Sequence, residues 1–335
     1  MIIKYHSERD NQLWYEFFID RGVLPDWVLR RILRFKLQLY SRMVSRIETL
    51  DLDKIRERFL SECKSSFIAI DTELANSQHY ELPTMFYEKI LGKNMKYSGS
   101  IWGRKGANLD DADYSTLDIY IERAGIDGGS NVLDLGAGWG SLSLAIADRC
   151  PSATVTALTN SSPQADYIEL KAKLRGLENV KVVKEDVQKY VPNDSFDRVV
   201  SIEMFEHMQN YERLMKNISS WLKPKGKLFV HIFCHQKFAY FFSTEGSDNW
   251  MGRYFFTGGL MPSEDLLLKF QKNLSLDKQW CWNGRHYKQT SNTWLKNMDK
   301  EKNNILPILE QVYGRNERNI WFQRWRIFFM ACAEL

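Results

Sequence analysis

Cysteine is scarce, five in 335 residues, and no two stand in a CxxC pair. Cys63, Cys150, Cys234, Cys281 and Cys332 are odd in number and widely spaced, so neither a disulfide framework nor a zinc site is indicated, and reduced thiols suit a cytosol. A dominant charge sign is missing as well: 46 basic against 42 acidic residues leave +4, too weak an excess to point to nucleic acid or an anionic membrane. No window reaches the roughly 18 uncharged apolar residues of a membrane span, and Met1-Ile-Ile-Lys-Tyr-His-Ser-Glu-Arg-Asp10 lacks the basic-then-apolar order of a secretion signal. The expectation is a soluble cytoplasmic protein with no nucleic-acid partner and no stable membrane insertion. There is no internal repeat and no low-complexity segment. What is abundant is apolar residue, 44% of the chain, enough to bury a full core in one large domain or one domain with an extension.

Along the chain the rhythm changes twice. To about Ser77 the apolar spacing is helical, as in Trp27-Val-Leu-Arg-Arg-Ile-Leu-Arg-Phe-Lys-Leu-Gln-Leu-Tyr40, where Arg30, Arg31, Arg34 and Lys36 read as a solvated face. A loop-like stretch, Leu91-Gly-Lys-Asn-Met-Lys-Tyr-Ser-Gly-Ser-Ile-Trp-Gly103, follows. Helices are then predicted at 117–124, 139–148, 163–175 and 209–222, and strands at 131–135, 154–158, 180–183, 197–202 and 226–233. This alternation implies an α/β fold with a doubly wound, mostly parallel sheet. From about Phe238 the rhythm stops and aromatics accumulate, with tryptophans at 250, 280, 282, 294, 321 and 325. The expected organisation is a helical N-terminal extension at 1–90, a Rossmann-like core at 91–237, and an aromatic-rich substrate cap with the remainder of the sheet at 238–335.

In such a sheet a ligand lies beyond the carboxyl ends of the strands, where glycines let the backbone approach it and the next helix offers free N–H groups. Val132-Leu-Asp-Leu-Gly-Ala-Gly-Trp-Gly140 is placed for this. Its spacing is GxGxG, not the GxGxxG of dinucleotide binders, and no carboxylate stands about 20 residues on to hold an NAD ribose. Thr159 and Asn160 occupy that position. The loop by itself points to a nucleotide-like ligand that is not NAD, with Asp134, Gly136 and Gly138 against it; joined to the Glu-His chemistry that follows, the expected cofactor is S-adenosylmethionine. At the end of the third strand Asp186 and Val187 offer a carboxylate and an apolar grip for an adenine, the competing reading being that Asp186 caps its turn.

The strand Asp197-Arg-Val-Val-Ser-Ile202 runs into Glu203-Met-Phe-Glu-His-Met208. If this segment is helical, Glu203, Glu206 and His207 share one face at the ligand edge. Methyl transfer to an amine needs a base, because a protonated nitrogen has no lone pair, and an imidazole titrating near neutrality suits the task. An acidic first helical turn with an incidental histidine is the competing reading. His231, Cys234 and His235 do not form a metal site in a strand, since 234 points away from the other two; His231 is expected to line the pocket and Cys234 to pack. Trp250, Tyr254, Phe255, Phe256, Trp280, Trp282, Trp321, Trp325 and Phe328 form a pool from which a minority would enclose an aromatic or cationic amine.

Taken in order, these segments resemble the coclaurine N-methyltransferase-like enzymes of the cyclopropane-fatty-acid synthase superfamily. The likeness runs through His79-Tyr-Glu-Leu-Pro83, Lys96-Tyr-Ser98, Ile126, the glycine loop, Leu158-Thr-Asn-Ser161 with Gln164, Ser201-Ile-Glu-Met-Phe-Glu-His207, Phe229-Val-His231, Arg253-Tyr-Phe-Phe-Thr-Gly-Gly259 and Trp325-Arg-Ile-Phe-Phe329. The resemblance implies a class I methyltransferase fold and an S-adenosylmethionine-dependent N-methyltransferase of a small aromatic or alkaloid-like amine. By that likeness Tyr97 and Ser98 would hold the methionine end of the cofactor, with Gly136 and Gly138 against it. Thr159, Asn160 and Gln164 would face ribose and adenine, flanked by Val187 and Ile202. Glu206 and His207 would bind and deprotonate the amine, with Glu203, Trp325 and Phe328 in the substrate wall.

Two departures from the family's pattern stand out. Cyclopropane synthases carry a bicarbonate-binding cysteine directly after the Tyr-Ser pair, where this chain has Gly99, which favours a nitrogen acceptor over an alkene. The family also continues for a short aromatic segment past the position of Ala333-Glu-Leu335, so an incomplete substrate wall or altered activity is expected. A lipid-modifying transferase and a catalytically idle cofactor-binding relative remain as alternatives, and a homodimer is left open.

Overall fold

The computed structural model describes residues 15–45, 49–70, 82–103, 106–246 and 249–335. His79, Tyr80 and Glu81, part of one resemblance segment, lie outside them. Five strands form one parallel sheet: β1 (Asn131–Leu135), β2 (Thr154–Thr159), β3 (Val180–Lys184), β4 (Phe196–Ile202) and β5 (Leu222–His231), in the order β3-β2-β1-β4-β5. Val132, Leu133 and Leu135 are wholly buried, as parallel strands covered on both faces require. The order reverses between β1 and β4, and that switch point opens a crevice at their carboxyl ends.

The helices α1 (Glu16–Asp20), α2 (Asp26–Ser45), α3 (Thr49–Ser65) and α4 (Thr84–Ile90) precede the sheet. The next, α5 (Leu109–Ala124), begins well before the 117 expected. Asn108 starts it: its side chain accepts from Asp111 N while Asp111 reaches back to the Asn108 backbone, and Gly125 at φ +63 ends it. Within the sheet region α6 (Ser141–Arg149), α7 (Ser162–Leu174) and α8 (Tyr211–Trp221) fall close to their expected places. After a short α9 (Trp250–Tyr254) and the small antiparallel pair β6 (Tyr240–Phe241) and β7 (Leu260–Met261), three long helices close the chain: α10 (Arg285–Lys300), α11 (Lys302–Tyr313) and α12 (Arg318–Glu334). The aromatic pattern concealed these helices because α12 is buried nearly all round, from Trp321 to Ala333 except Arg326, and so shows no polar face.

The N-terminal helices do not form a detached leader. Helices α1 and α2 pack on α12. Buried Asp20 accepts from Arg324 Nε at 3.1 Å and Nη2 at 2.7 Å. Glu334 accepts from Arg30 and Arg34, each at 2.6 Å, so two arginines expected on a solvated face are interhelical partners instead. Among the described residues no helix is long and apolar enough to cross a membrane.

The glycine loop leaves β1 with Gly136, Gly138 and Gly140 all at positive φ, +80, +55 and +74. Their surroundings differ. A Cβ on Gly136 would meet Met204 Cγ at 2.5 Å, whereas one on Gly138 would meet nothing within 4 Å, because Gly138 faces the crevice. Gly136→Ala is therefore expected to lower stability by about 1–3 kcal/mol and by more than Gly138→Ala, read from urea midpoints of both variants. Arg324→Met, which strands Asp20 without its partner, is expected to cost about 3–5 kcal/mol in the same measurement.

Candidate active site

The crevice at the ends of β1 and β4 is lined by Tyr97 and Ser98 from the loop before α5, by Asp134, Gly136 and Gly138 from β1 and its loop, and by Ile202 from β4. Thr159, Asn160, Gln164 and Val187 complete its far side. Thr159 Oγ1 donates to Gln164 Oε1 at 2.7 Å, tying the end of β2 to α7. Ser143 Oγ donates to Asp134 Oδ2 at 2.6 Å; burial pushes that carboxyl up to about 6, against the hydroxyl that lowers it. Of the residues expected at the cofactor, Asp186 alone does not line the crevice. Glu185 N donates to Thr159 O and continues the ladder, so Asp186 falls in the turn, where its Oδ1 accepts from Gln188 N at 2.8 Å. Glu185 supplies the rim carboxylate instead.

The acceptor side is built differently from the helix expected. Glu203 ends β4, its N–H donating to His231 O at 2.8 Å, and turns the chain with a left-handed φ of +49. Only Phe205–His207 then forms a single 3-10 turn. Glu203, Glu206 and His207 are thus brought together by a strand end and a tight turn, not by helical spacing. Glu203 Oε1 accepts from Gly99 N at 2.8 Å. Glu206 is 0% exposed; its Oε1 accepts from Phe233 N at 2.8 Å, while its Oε2 has no hydrogen-bond partner among the described residues. His207 lines the crevice and stacks on Phe256, ring centroids 5.8 Å apart at 11°.

Burial sets the charges here. It pushes Glu203 up to about 7, against Lys96 and the Gly99 N–H, which lower it. Burial and then the charge of Glu203 push Glu206 well above the carboxylate range. Desolvation pulls His207 down to about 4, not the near-neutral titration expected of it, so its imidazole is neutral at physiological pH but a weak base until a neighbouring negative charge raises it. Glu203 and His207 line the crevice, whereas Glu206 lines neither cavity and stands behind them; the site thus combines little fixed charge, one neutral base at its surface and one buried carboxyl a layer back.

Beyond Glu203 a larger cleft continues, lined by His231, Phe256, Trp282 and Tyr287. His231 Nδ1 and Tyr120 Oη are 2.7 Å apart, and the imidazole lies 4.7 Å from the Trp282 ring. Cys234 is exposed, not packed. His235 Nδ1 accepts from Lys237 N and Phe238 N. Trp325 and Phe328 line neither cavity: Trp325 packs 4.9 Å from Phe86, and Phe328 stacks 4.4 Å from Phe255. They stand one layer back, with Phe256, 6.1 Å from Phe328, presenting the face to the cleft. Sequence reasoning gave no place to Tyr120, Tyr287 or Met204, and no role to Lys96; each lies in an unremarkable local pattern, and only the tertiary fold brings it here.

Comparison with known proteins agrees with this geometry. The mycolic acid cyclopropane synthetase family matches residues 69–335. The (S)-coclaurine N-methyltransferase of Papaver somniferum is 35% identical over 329 residues, covering 95% of this chain and 91% of that protein. Pavine N-methyltransferase of Thalictrum flavum subsp. glaucum is 31% identical over 95% of this chain and 90% of its own length. The crystal structure of coclaurine N-methyltransferase bound to N-methylheliamine and SAH superposes with a TM-score of 0.91 at 32% identity, over 96% of this chain and 93% of that one. A family match over residues 69–335, relatives 31–35% identical across 95% of the chain and a shared fold agree: the chain belongs to the mycolic acid cyclopropane synthetase family, among its coclaurine N-methyltransferase-like members.

Proposed function

We propose that the chain methylates the nitrogen of a small aromatic or alkaloid-like amine, with Glu206 and His207 binding the amine and taking its proton. The enzyme class is an S-adenosylmethionine-dependent methyltransferase, as in the family to which the chain belongs. The crevice suits that cofactor: Gly138 presents bare backbone with open space where a Cβ would stand, and Asn160 and Glu185 supply polar groups at the rim. When bound there, S-adenosylmethionine supplies a methyl group on a positively charged sulfur.

The observation that carries the proposal is the pairing of a buried carboxyl oxygen, Glu206 Oε2, which has no hydrogen-bond partner among the described residues, with a neutral imidazole on the same turn. A cation entering this site meets the negative charge of Glu203 and gives Glu206 reason to ionise. His207, neutral and stacked on Phe256, accepts the proton as the nitrogen lone pair is released, and the neighbouring carboxylate stabilises the imidazolium that forms. Aromatic faces from Phe256, Trp282 and Tyr287 suit a ring-bearing substrate.

The alkene alternative is disfavoured at Gly99. A Cβ there would meet Tyr287 Cδ2 at 2.6 Å and Glu203 Oε1 at 3.4 Å, so the place where the resemblance sets a cysteine is filled by a ring and a carboxylate.

His207→Ala, given S-adenosylmethionine and a panel of secondary and tertiary amines, is expected to lose about 10²–10⁴-fold in kcat while keeping its affinity for S-adenosylhomocysteine by calorimetry. Absence of N-methyl product from the unaltered enzyme across the panel, with cofactor binding retained, would instead support an idle relative. Since Glu203 attracts a cation only when ionised, amine affinity should rise with pH through about 7; a flat profile from pH 6 to 8 contradicts the assignment.

A further inference from the structure

Lys96 is 1% exposed, an unusual state for a lysine unless it is paired. Yet among the described residues its ammonium makes no contact ion pair: its hydrogen bonds go to Ser98 O at 3.1 Å, Ser98 Oγ at 2.8 Å and Gly99 O at 2.5 Å, all oxygens of its own loop. Burial pulls the ammonium down to about 8, against Asp113 and Glu203, whose charges at longer range hold its proton on, and the Tyr120 ring lies 5.4 Å from Nζ.

One peptide group links the two charges. Its carbonyl, Ser98 O, accepts from Lys96, and its N–H, on Gly99, donates to Glu203 Oε1 at 2.8 Å. The dipole of that peptide is aligned between ammonium and carboxylate, an arrangement in which each hydrogen bond strengthens the other. The same three-residue turn presents Tyr97 and Ser98 to the cofactor crevice.

We infer that Lys96 is a positioning residue that joins cofactor and acceptor: its ammonium wraps the loop that meets the cofactor and, through the 98–99 peptide, keeps Glu203 ionised to receive a cationic amine. The inference rests on the amine reading given above. The titratable groups around Glu203 are Lys96, Glu206 and His207 on its own turn, Tyr120 of α5 and Cys332 of α12. Around Lys96 they are Asp113 and Tyr120 of α5 and His231 of β5. Removing the lysine's charge raises the proton affinity of Glu203; removing that of Asp113 lowers it, because a competing carboxylate is lost and Lys96 is left to Glu203.

The test is calorimetric titration of the S-adenosylhomocysteine complex with a tetrahydroisoquinoline quaternised on nitrogen, whose charge does not change with pH, from pH 5.5 to 9. Lys96→Met should move the midpoint of the affinity profile up by about one pH unit and weaken binding about fivefold at pH 7. It should also weaken S-adenosylhomocysteine itself. Asp113→Asn should move the midpoint down, and it decides the matter if Lys96→Met fails to melt cooperatively. A loop that only needs its shape would lose S-adenosylhomocysteine affinity in Lys96→Met with the midpoint unmoved, and that result, or midpoints shifting the same way in both variants, overturns the inference alone. If the unaltered enzyme binds the cation at no pH, the amine reading falls and the inference with it.

Discussion

Two carboxylates, Glu203 and Glu206, sit where water would otherwise solvate them, and each is held by one backbone N–H, from Gly99 and from Phe233. The rest of the site follows from that constraint. An ionised carboxylate removed from water is costly unless it is hydrogen-bonded and paired, so residues near Glu203 must let a backbone approach closely and bring a counter-charge. Gly99 does the first: any side chain there would collide with the Tyr287 ring. Lys96 brings the second through the 98–99 peptide, and Glu203 itself lines both cavities.

The sheet was legible because its signals are local. Val132, Leu133 and Leu135 form an apolar run, broken only by Asp134, that a doubly covered strand needs, and the glycines after it stand at positive φ, as a turn without side chains permits. The early start of α5 was missed because its cap uses Asn108 and Asp111, whereas serine or threonine with glutamate is the commoner signature. Asp186 and Glu185 differ by one position, and only the ladder bond from Glu185 N to Thr159 O decides which side chain reaches the rim.

At the acceptor site the residues were found by a spacing argument that the backbone does not follow. Glu203 adopts φ +49 at the strand end, a conformation no apolar pattern announces. Phe256 reached the cleft while Trp325 and Phe328 packed behind it, because which aromatic in a crowded cap faces inward depends on how three helices stack, and their shared apolar character erases the distinction. Lys96 stood in the resemblance segment Lys96-Tyr-Ser98 but carried no chemical signal of its own, since beside Lys93 in a polar loop it looks like any solvated lysine.

The ion pairs from Asp20 to Arg324 and from Arg30 and Arg34 to Glu334 join positions 300 or more residues apart. A ribosome making this chain emits α1 and α2 well before α12. The docking site of these helices therefore does not exist until about 300 further residues have been made. Contacts of such long sequence separation are slow to close, and Trp27 and Phe35, still 68% and 58% exposed in the finished fold, wait through that interval among apolar neighbours with nothing to cover them. The same bonds that hold the N-terminal helices in place thus leave their packing face uncovered for most of the chain's synthesis.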